Sequence, residues 1–191
     1  LQREVLLTGI GGQGVQLAAK TLAMAATAEG RQVMMSSHYG GEMRGGQTEA
    51  SVVVADGRLR SVPILEKSWS AAVMHSRYWP GVAARLRPGG VVVANSTVAG
   101  DVPEGDYRLV QVPAGELATE VGSAMSAGFV LLGAFATVTQ LVGLEALVEA
   151  MRQLVPSYRV QHLSVNEAAL RAGHAAVSAL VAPAAVAEVA G

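Results

Sequence analysis

The chain has 191 residues, of which 51% are hydrophobic, 15% charged and 4% aromatic, with 22 glycines and no cysteine. That apolar content with a formal net charge of -1 excludes intrinsic disorder, and it offers none of the basic excess expected of a nucleic-acid binder. Without cysteine the chain supplies no disulfide scaffold, thiolate zinc site, thiol nucleophile or Cys-ligated iron–sulfur cluster, which fits a reducing, cytoplasmic setting.

Short apolar runs alternate with helical ones, the pattern of an α/β domain. Residues 4–8 read as a first strand and 14–28 as an Ala- and Leu-rich helix. Residues 32–36 read as a second strand, followed by a polar, Gly-rich stretch over 38–46 and a β-branched strand over 48–55 that ends at the turn pair Asp56-Gly57. Further strands are expected at 71–75, 91–95 and 107–112, with a short helix at 77–86 closed by the breaker Arg87-Pro88-Gly89-Gly90. Residues 116–121, 128–141, 144–154 and 165–180 read as helices. The link between the second strand and the 48–55 strand is too short for a helical crossover, so those two are expected to be antiparallel. The prediction is a three-layer, Rossmann-like α/β domain with a mixed, mostly parallel sheet and helices on both faces. It spans residues 1–180 as one domain, with a loose Ala/Val-rich tail over 181–191. No signal peptide is expected. The charge-free stretch 121–144 is long enough to cross a bilayer, but its small and hydroxyl-bearing residues suit a buried helix better, so no membrane partner is expected.

Gly9-Ile10-Gly11-Gly12-Gln13-Gly14 fits a G-x-G-x-x-G loop between a strand and a helix. Glycine permits a tight turn there, and the following helix offers free N–H groups to an anion such as phosphate. The plainer reading is that these glycines only let the helix pack on the sheet. A nicotinamide site needs an acidic residue at the end of the second strand, where Met34-Met35-Ser36-Ser37-His38 has none, and Arg31 is poorly placed for a 2′-phosphate. No Gly-Lys-Ser/Thr completes a Walker loop. The second Gly-rich segment gathers Tyr39, Glu42 and Arg44 among four glycines. Arg44 suits a carboxylate or phosphate, Glu42 can orient Arg44, and Tyr39 can stack on a flat ligand or a partner chain. The four histidines fall in no metal spacing, no Ser sits in G-x-S-x-G, and no carboxylates pair in an evident site, so the chain does not read as a self-sufficient catalyst. The residues alone leave open a stand-alone nucleotide- or nicotinamide-binding domain.

Four segments carry a resemblance: Gly9 to Val15, Tyr39 to Gly46, Leu86 to Gly90 before the 91–95 strand, and Leu131 to Ala134 followed by Leu144 to Leu147. In order and spacing, over about residues 3–173, the chain resembles the gamma subunit of 2-oxoacid:ferredoxin oxidoreductases that act on pyruvate, 2-oxoglutarate, branched-chain 2-oxoacids or indolepyruvate. It departs from that pattern at His38, Gly41 and Gly128, where the family usually has Ser, Pro and Asn. The resemblance implies a complex that oxidatively decarboxylates a 2-oxoacid to an acyl-CoA, using thiamine diphosphate and iron–sulfur clusters on partner subunits. This chain has neither the cysteines for a cluster nor a G-D-G…N thiamine motif, since Gly105-Asp106 is followed by Tyr107. It is therefore expected to bind no cofactor tightly and to help shape the CoA side and the subunit interface, through Gly11, Gly12, Gln13, Gly14, Tyr39, Glu42 and Arg44. Expected partners are alpha and beta subunits, with a ferredoxin-like delta subunit in some forms and ferredoxin as the acceptor of the complex. Isolated, the apolar and weakly charged chain is expected to form a homo-oligomer. Both Gly-rich loops are expected at one end of the sheet, with the second strand alongside the first in parallel.

Overall fold

The computed structural model describes residues 1–39, 45–60, 64–98 and 102–180. Six strands, β1 (Gln2–Ile10), β2 (Gln32–Tyr39), β3 (Gln47–Ala55), β4 (Ser68–Val73), β5 (Leu86–Asn95) and β6 (Tyr107–Val112), form one sheet in the order β2-β3-β1-β4-β5-β6. The helices are α1 (Val15–Ala28), α2 (Trp79–Ala83), α3 (Ala114–Glu120), α4 (Ala127–Thr139), α5 (Leu144–Leu154) and α6 (Leu163–Ser178), with 3-10 turns at 76–78, 124–126 and 157–162. Three strand pairs are parallel, and β3 alone runs antiparallel to both its neighbours. The mixed, mostly parallel α/β sheet expected from the sequence is what forms.

One expectation about that sheet needs correction. β2 does point the same way as β1, but it is not its neighbour, because β3 lies between them. The short link after β2 forces β3 back antiparallel, and the β-branched β3 then pairs along the whole of β1, from Gln2–Ala55 to Ile10–Gln47. A second correction concerns Arg87-Pro88-Gly89-Gly90, which does not precede a strand but lies inside β5. Leu86 already pairs with Ser68, and Val91 with Ser70, so the extra residues bulge out of the ladder. A bulge is where a strand tolerates proline, and Gly89 takes the left-handed conformation, φ 70°. The helix expected over 77–86 is a 3-10 turn leading into the shorter α2.

Alternation along each strand sends successive side chains to opposite faces. Val5, Leu7, Val52, Val54, Ala72 and Val93 join the larger core, under α1, α3, α4, α5 and α6. Leu6, Val53, Ala71, Val73, Val92 and Ala94 join a smaller core with Trp79 and Val82 of α2 and Leu65 of a loop. Helices thus lie on both faces, but five are on one. Fully burying each Leu or Val of these rows stabilises the fold by about 1.5–3 kcal/mol.

The charge-free stretch becomes α4, buried over Gly128–Ala136 and at Val138. Among the described residues, no helix is long and apolar enough to cross a membrane. α4 packs on α6 through two glycines. A Cβ added at Gly133 would collide with the Leu170 carbonyl oxygen, and one at Gly173 with that of Val130. Gly133 is the glycine of the Leu131-Leu132-Gly133-Ala134 motif, so that motif reads physically as a helix crossing.

Candidate functional site

The C-terminal ends of β1, β2, β4, β5 and β6 share one edge of the sheet, the edge at which open α/β sheets place ligands. The glycine loop leaves β1 there. Gly11 N–H donates to the Gly46 carbonyl at 2.9 Å, which joins the loop to the segment entering β3. Gly12 and Gly14 take positive φ, 98° and 75°, and among the described residues no atom beyond their chain neighbours stands within 4 Å of where their Cβ would be. Gly14 caps α1 without a side-chain hydrogen bond, and the first turn of α1 holds no acid. The first intrahelical bond runs from Ala18 N–H to the Gly14 carbonyl. The N–H groups of the first turn thus face outward at an exposed loop, as an anion requires.

Gln13 turns inward. Its Oε1 accepts from Ile10 N–H at 2.9 Å, and its own N–H donates to the Ile10 carbonyl at 3.2 Å, so the side chain braces the loop. Tyr39 ends β2, paired with Thr48. Glu42 and Arg44 lie outside the described residues. Of the expected site residues, the structure therefore brings Gly11, Gly12, Gln13 and Gly14 together in one loop, and Gly11 reaches Gly46 of the second segment.

Three braces at this edge were not read from the sequence. Gln16 donates from Nε2 to the Glu49 carbonyl at 2.9 Å and accepts from Ser37 Oγ at 2.5 Å, stapling α1 to β2 and β3. The buried Asn95 accepts at Oδ1 from Thr97 N–H and Ala114 N–H, both at 3.1 Å, so it ties the end of β5 to the start of α3. On the other face, the buried Glu49 carboxylate takes two hydrogen bonds from Arg85, one of them 2.7 Å. That hydrogen-bonded carboxylate raises the Arg85 guanidinium above its ordinary pKa, against the opposing effect of burial. Apart from Thr97, two residues past Asn95, the partners in these braces lie 19 to 36 residues apart in the chain.

The histidines are scattered. His75 Nδ1 accepts from Arg77 N–H at 3.1 Å, and His174 Nδ1 lies 2.8 Å from Thr137 Oγ1. Among the described residues no group of three or more His, Asp or Glu can hold a metal ion. Arg31 sits away from the glycine loop, donating to the Leu141 carbonyl at 2.6 Å.

Residues 4–176 match the family of pyruvate ferredoxin/flavodoxin oxidoreductases. The chain belongs to that family. It is 33% identical over 129 residues to the ketoisovalerate oxidoreductase subunit VorA of Methanothermobacter marburgensis, covering 68% of this chain and only 27% of that protein. It is 27% identical over 160 residues to the 2-oxoglutarate synthase subunit KorC of Methanocaldococcus jannaschii, covering 82% of this chain and 85% of that subunit. The gamma subunit of the keto/oxoacid ferredoxin oxidoreductase from Geobacter sulfurreducens superposes with a TM-score of 0.79 at 28% identity, over 94% of this chain and 99% of that one. Within the family the chain is thus of the gamma type. The alternative of a stand-alone nucleotide- or nicotinamide-binding domain finds no support.

Proposed function

We propose that the chain works as the gamma subunit of a CoA-dependent 2-oxoacid:ferredoxin oxidoreductase in the cytoplasm. Its two Gly-rich segments face CoA and the thiamine-bearing subunits. The observation that supports this reading is the hydrogen bond from Gly11 to Gly46, which ties the first loop to the end of the second segment at the edge where open α/β sheets place ligands. In this reading the first turn of α1, beyond Gly12 and Gly14, receives a phosphate of CoA. Arg44 adds a formal charge, Glu42 orients Arg44, Tyr39 supports the partner contact, and Gln13 keeps the loop in shape.

The redox and carbanion chemistry belongs to alpha, beta and delta partners, with ferredoxin as acceptor. The residues of this chain do not fit those cofactors. It has no Cys to ligate a cluster. Gly105-Asp106, the nearest approach to a thiamine motif, forms a tight turn instead: Gly105 bridges Tyr107, whose hydroxyl donates to the Pro103 carbonyl. What this chain contributes is binding and positioning.

The test is acyl-CoA formation by the reconstituted complex, with assembly followed by gel filtration. Arg44→Ala should lower CoA use or assembly ten- to hundredfold, the value of a charge-assisted contact of about 1.5–3 kcal/mol. Gly12→Val should cost more, because valine is strained at a φ of 98° and its side chain projects into the approach to the loop. Unchanged assembly, activity and CoA dependence in both variants would refute the site. Isolated, the chain self-associates, a reading supported by exposed apolar side chains such as Met125 and Val160. A clean monomer in sedimentation at high micromolar concentration would count against it.

A further inference from the structure

The two edges of the sheet are guarded differently. An edge strand presents unpaired N–H and C=O groups, and folded chains blunt it with charge, proline, a bulge or a covering segment. β6 follows that rule. It carries Arg108, which donates to the Leu180 carbonyl at 3.0 Å and so ties this edge to the segment that follows α6. β2 carries no Asp, Glu, Lys, Arg or Pro. It pairs with β3 without a break from Gln32–Ala55 to Tyr39–Thr48, and among the described residues no strand pairs with its outer side. The charge next to it in sequence, Arg31, is held by the Leu141 carbonyl and Asp56.

An uncharged edge suits a second copy of itself. On a two-fold axis a charge near the axis meets its own like, so a strand without charges is self-complementary where a charged one is not. Side-chain chemistry then selects the register. Pairing about an axis normal to the sheet sets opposite each other two residues of the same face, both odd or both even in number. Val33 and Met35 are half-buried against the larger core, while Met34 is 39% exposed on the other face. An axis at Met34 sets Met34 opposite itself, Val33 opposite Met35 of the copy, and Gln32 opposite Ser36. An axis at Val33 sets Met35 against Arg31, and one at Met35 sets Met34 against Ser36 and Val33 against Ser37. Of the three, the axis at Met34 matches apolar with apolar on both faces.

We propose that β2 is an interface between two copies of this chain, paired antiparallel about Met34 over residues 32–36 so that two sheets become one. This rests on the self-association put forward above and gives it a surface, the β2 edge, distinct from the 3-10 turns that carry Met125 and Val160. It is not tied to CoA or to the gamma-subunit reading.

Sedimentation of the full chain at rising concentration tests it, together with single cysteines, for which a chain without Cys is a clean background. The native chain should form a concentration-dependent dimer. Met34→Lys, at an exposed side chain, sets two like charges face to face and should weaken the dimer by about tenfold or more, with the circular dichroism spectrum unchanged. Met125→Lys and Val160→Lys should leave the dimer as tight as in the native chain. Under a mild oxidant Met34→Cys should form an intermolecular disulfide, because its Cβ faces its own counterpart at about 4.5–5.5 Å. Gln32→Cys should not, since its counterpart lies about 13 Å further along the pair, beyond the reach of a disulfide. A dimer that survives Met34→Lys, or cross-links equally well through Gln32→Cys, would overturn the β2 surface and leave the self-association standing. A clean monomer would overturn both. Neither outcome bears on acyl-CoA formation by the reconstituted complex, so the gamma-subunit reading fails separately.

Discussion

Gly12 and Gly14 in the loop, and Gly133 and Gly173 in the crossing of α4 and α6, are the same residue put to opposite uses. The loop pair has positive φ, and among the described residues nothing beyond its chain neighbours stands where a side chain would go. The crossing pair sits in ordinary helix, with another helix's carbonyl oxygen where the Cβ would go. One pair is needed for backbone conformation and for access from outside. The other is needed for close approach inside. A glycine in a family motif therefore does not mark a ligand site by itself; its φ and its neighbours decide.

The sharpest way to break this comparison is to add one methyl group to each pair. Gly173→Ala gains about 1 kcal/mol of helix propensity, yet it drives a Cβ into the Val130 carbonyl. We expect a net loss of about 3 kcal/mol or more, since backbone on both sides must move. Urea unfolding followed by circular dichroism measures it, and Gly133→Ala should behave alike. Stability equal to wild type in both would mean that the helices are not in contact through these glycines.

The next effect is smaller and involves charge rather than space. Glu49 and Arg85 form a mostly buried bidentate pair, with side-chain exposures of 10% and 27%. Glu49→Gln keeps the shape but removes the carboxylate, leaving a guanidinium short of its partner. Breaking a wholly buried pair costs about 3–5 kcal/mol, and the partial exposure of Arg85 reduces this to about 2 kcal/mol. A second change, Arg85→Met, should recover part of the loss, because the uncompensated charge is then gone. A double-mutant cycle that shows no coupling would dismiss the pair as a stabilising contact.

How much of this was legible beforehand depends on how local the cause is. The bounds of β6 and α5 match the sequence reading residue for residue, because the strong apolar period of each is broken at both ends. The antiparallel turn from β2 to β3 was also legible, since a short link allows nothing else. The position of β3 between β2 and β1 was not, because pairing between distant strands is set by which long β-branched runs match in length. Pro88 and Gly89 read as a break because a bulge is visible only once the neighbouring strand is known. At the candidate site, the tight glycine turn into α1 was legible from the strand–glycine–helix order. The inward turn of Gln13 rests on Ile10, three residues back, but nothing in the sequence marks which way that side chain turns, and the tie from Asn95 to Ala114 depends on a partner 19 residues away.

Returning to the loop, Gly14→Ala sharpens the comparison from its other side. Among the described residues no atom obstructs a Cβ at Gly14, so the cost is that of the left-handed conformation at φ 75°, about 1 kcal/mol. That is a third or less of the loss expected at Gly173. The same urea titration decides it, and a loss at Gly14 equal to that at Gly173 would show that the loop is as tightly packed as the crossing.

The smallest effect lies on the outer surface of the helical layer and depends on pH. Arg171 of α6 donates to Glu145 of α5 at 2.7 Å and to Glu167 on its own helix at 2.9 Å, and Arg152 reaches Glu167 at 2.6 Å. Hydrogen bonds from Arg171 hold the carboxyl of Glu145 below the usual carboxylate range, and those from Arg171 and Arg152 do the same for Glu167. A carboxylate whose pKa is depressed in the folded state contributes stability that is present above its unfolded value and lost as pH falls through the folded one. The window is therefore acidic, from the ordinary value of 4.5 downward. Arg171 itself is raised, so its side of the network is fully in place at every pH below its unfolded value and adds no dependence near neutrality. Glu145, Arg152 and Arg171 are exposed and Glu167 is half-buried at the surface, so salt should screen the effect. Arg171→Met should lower the urea midpoint slightly at pH 7, and the gap from wild type should close as the pH is taken below 4 or the salt above about 1 M. A gap that persists unchanged in acid would assign the loss to the packing of the Arg171 stem on α5, and the link between α5 and α6 would then be apolar throughout, like the glycine crossing beneath it.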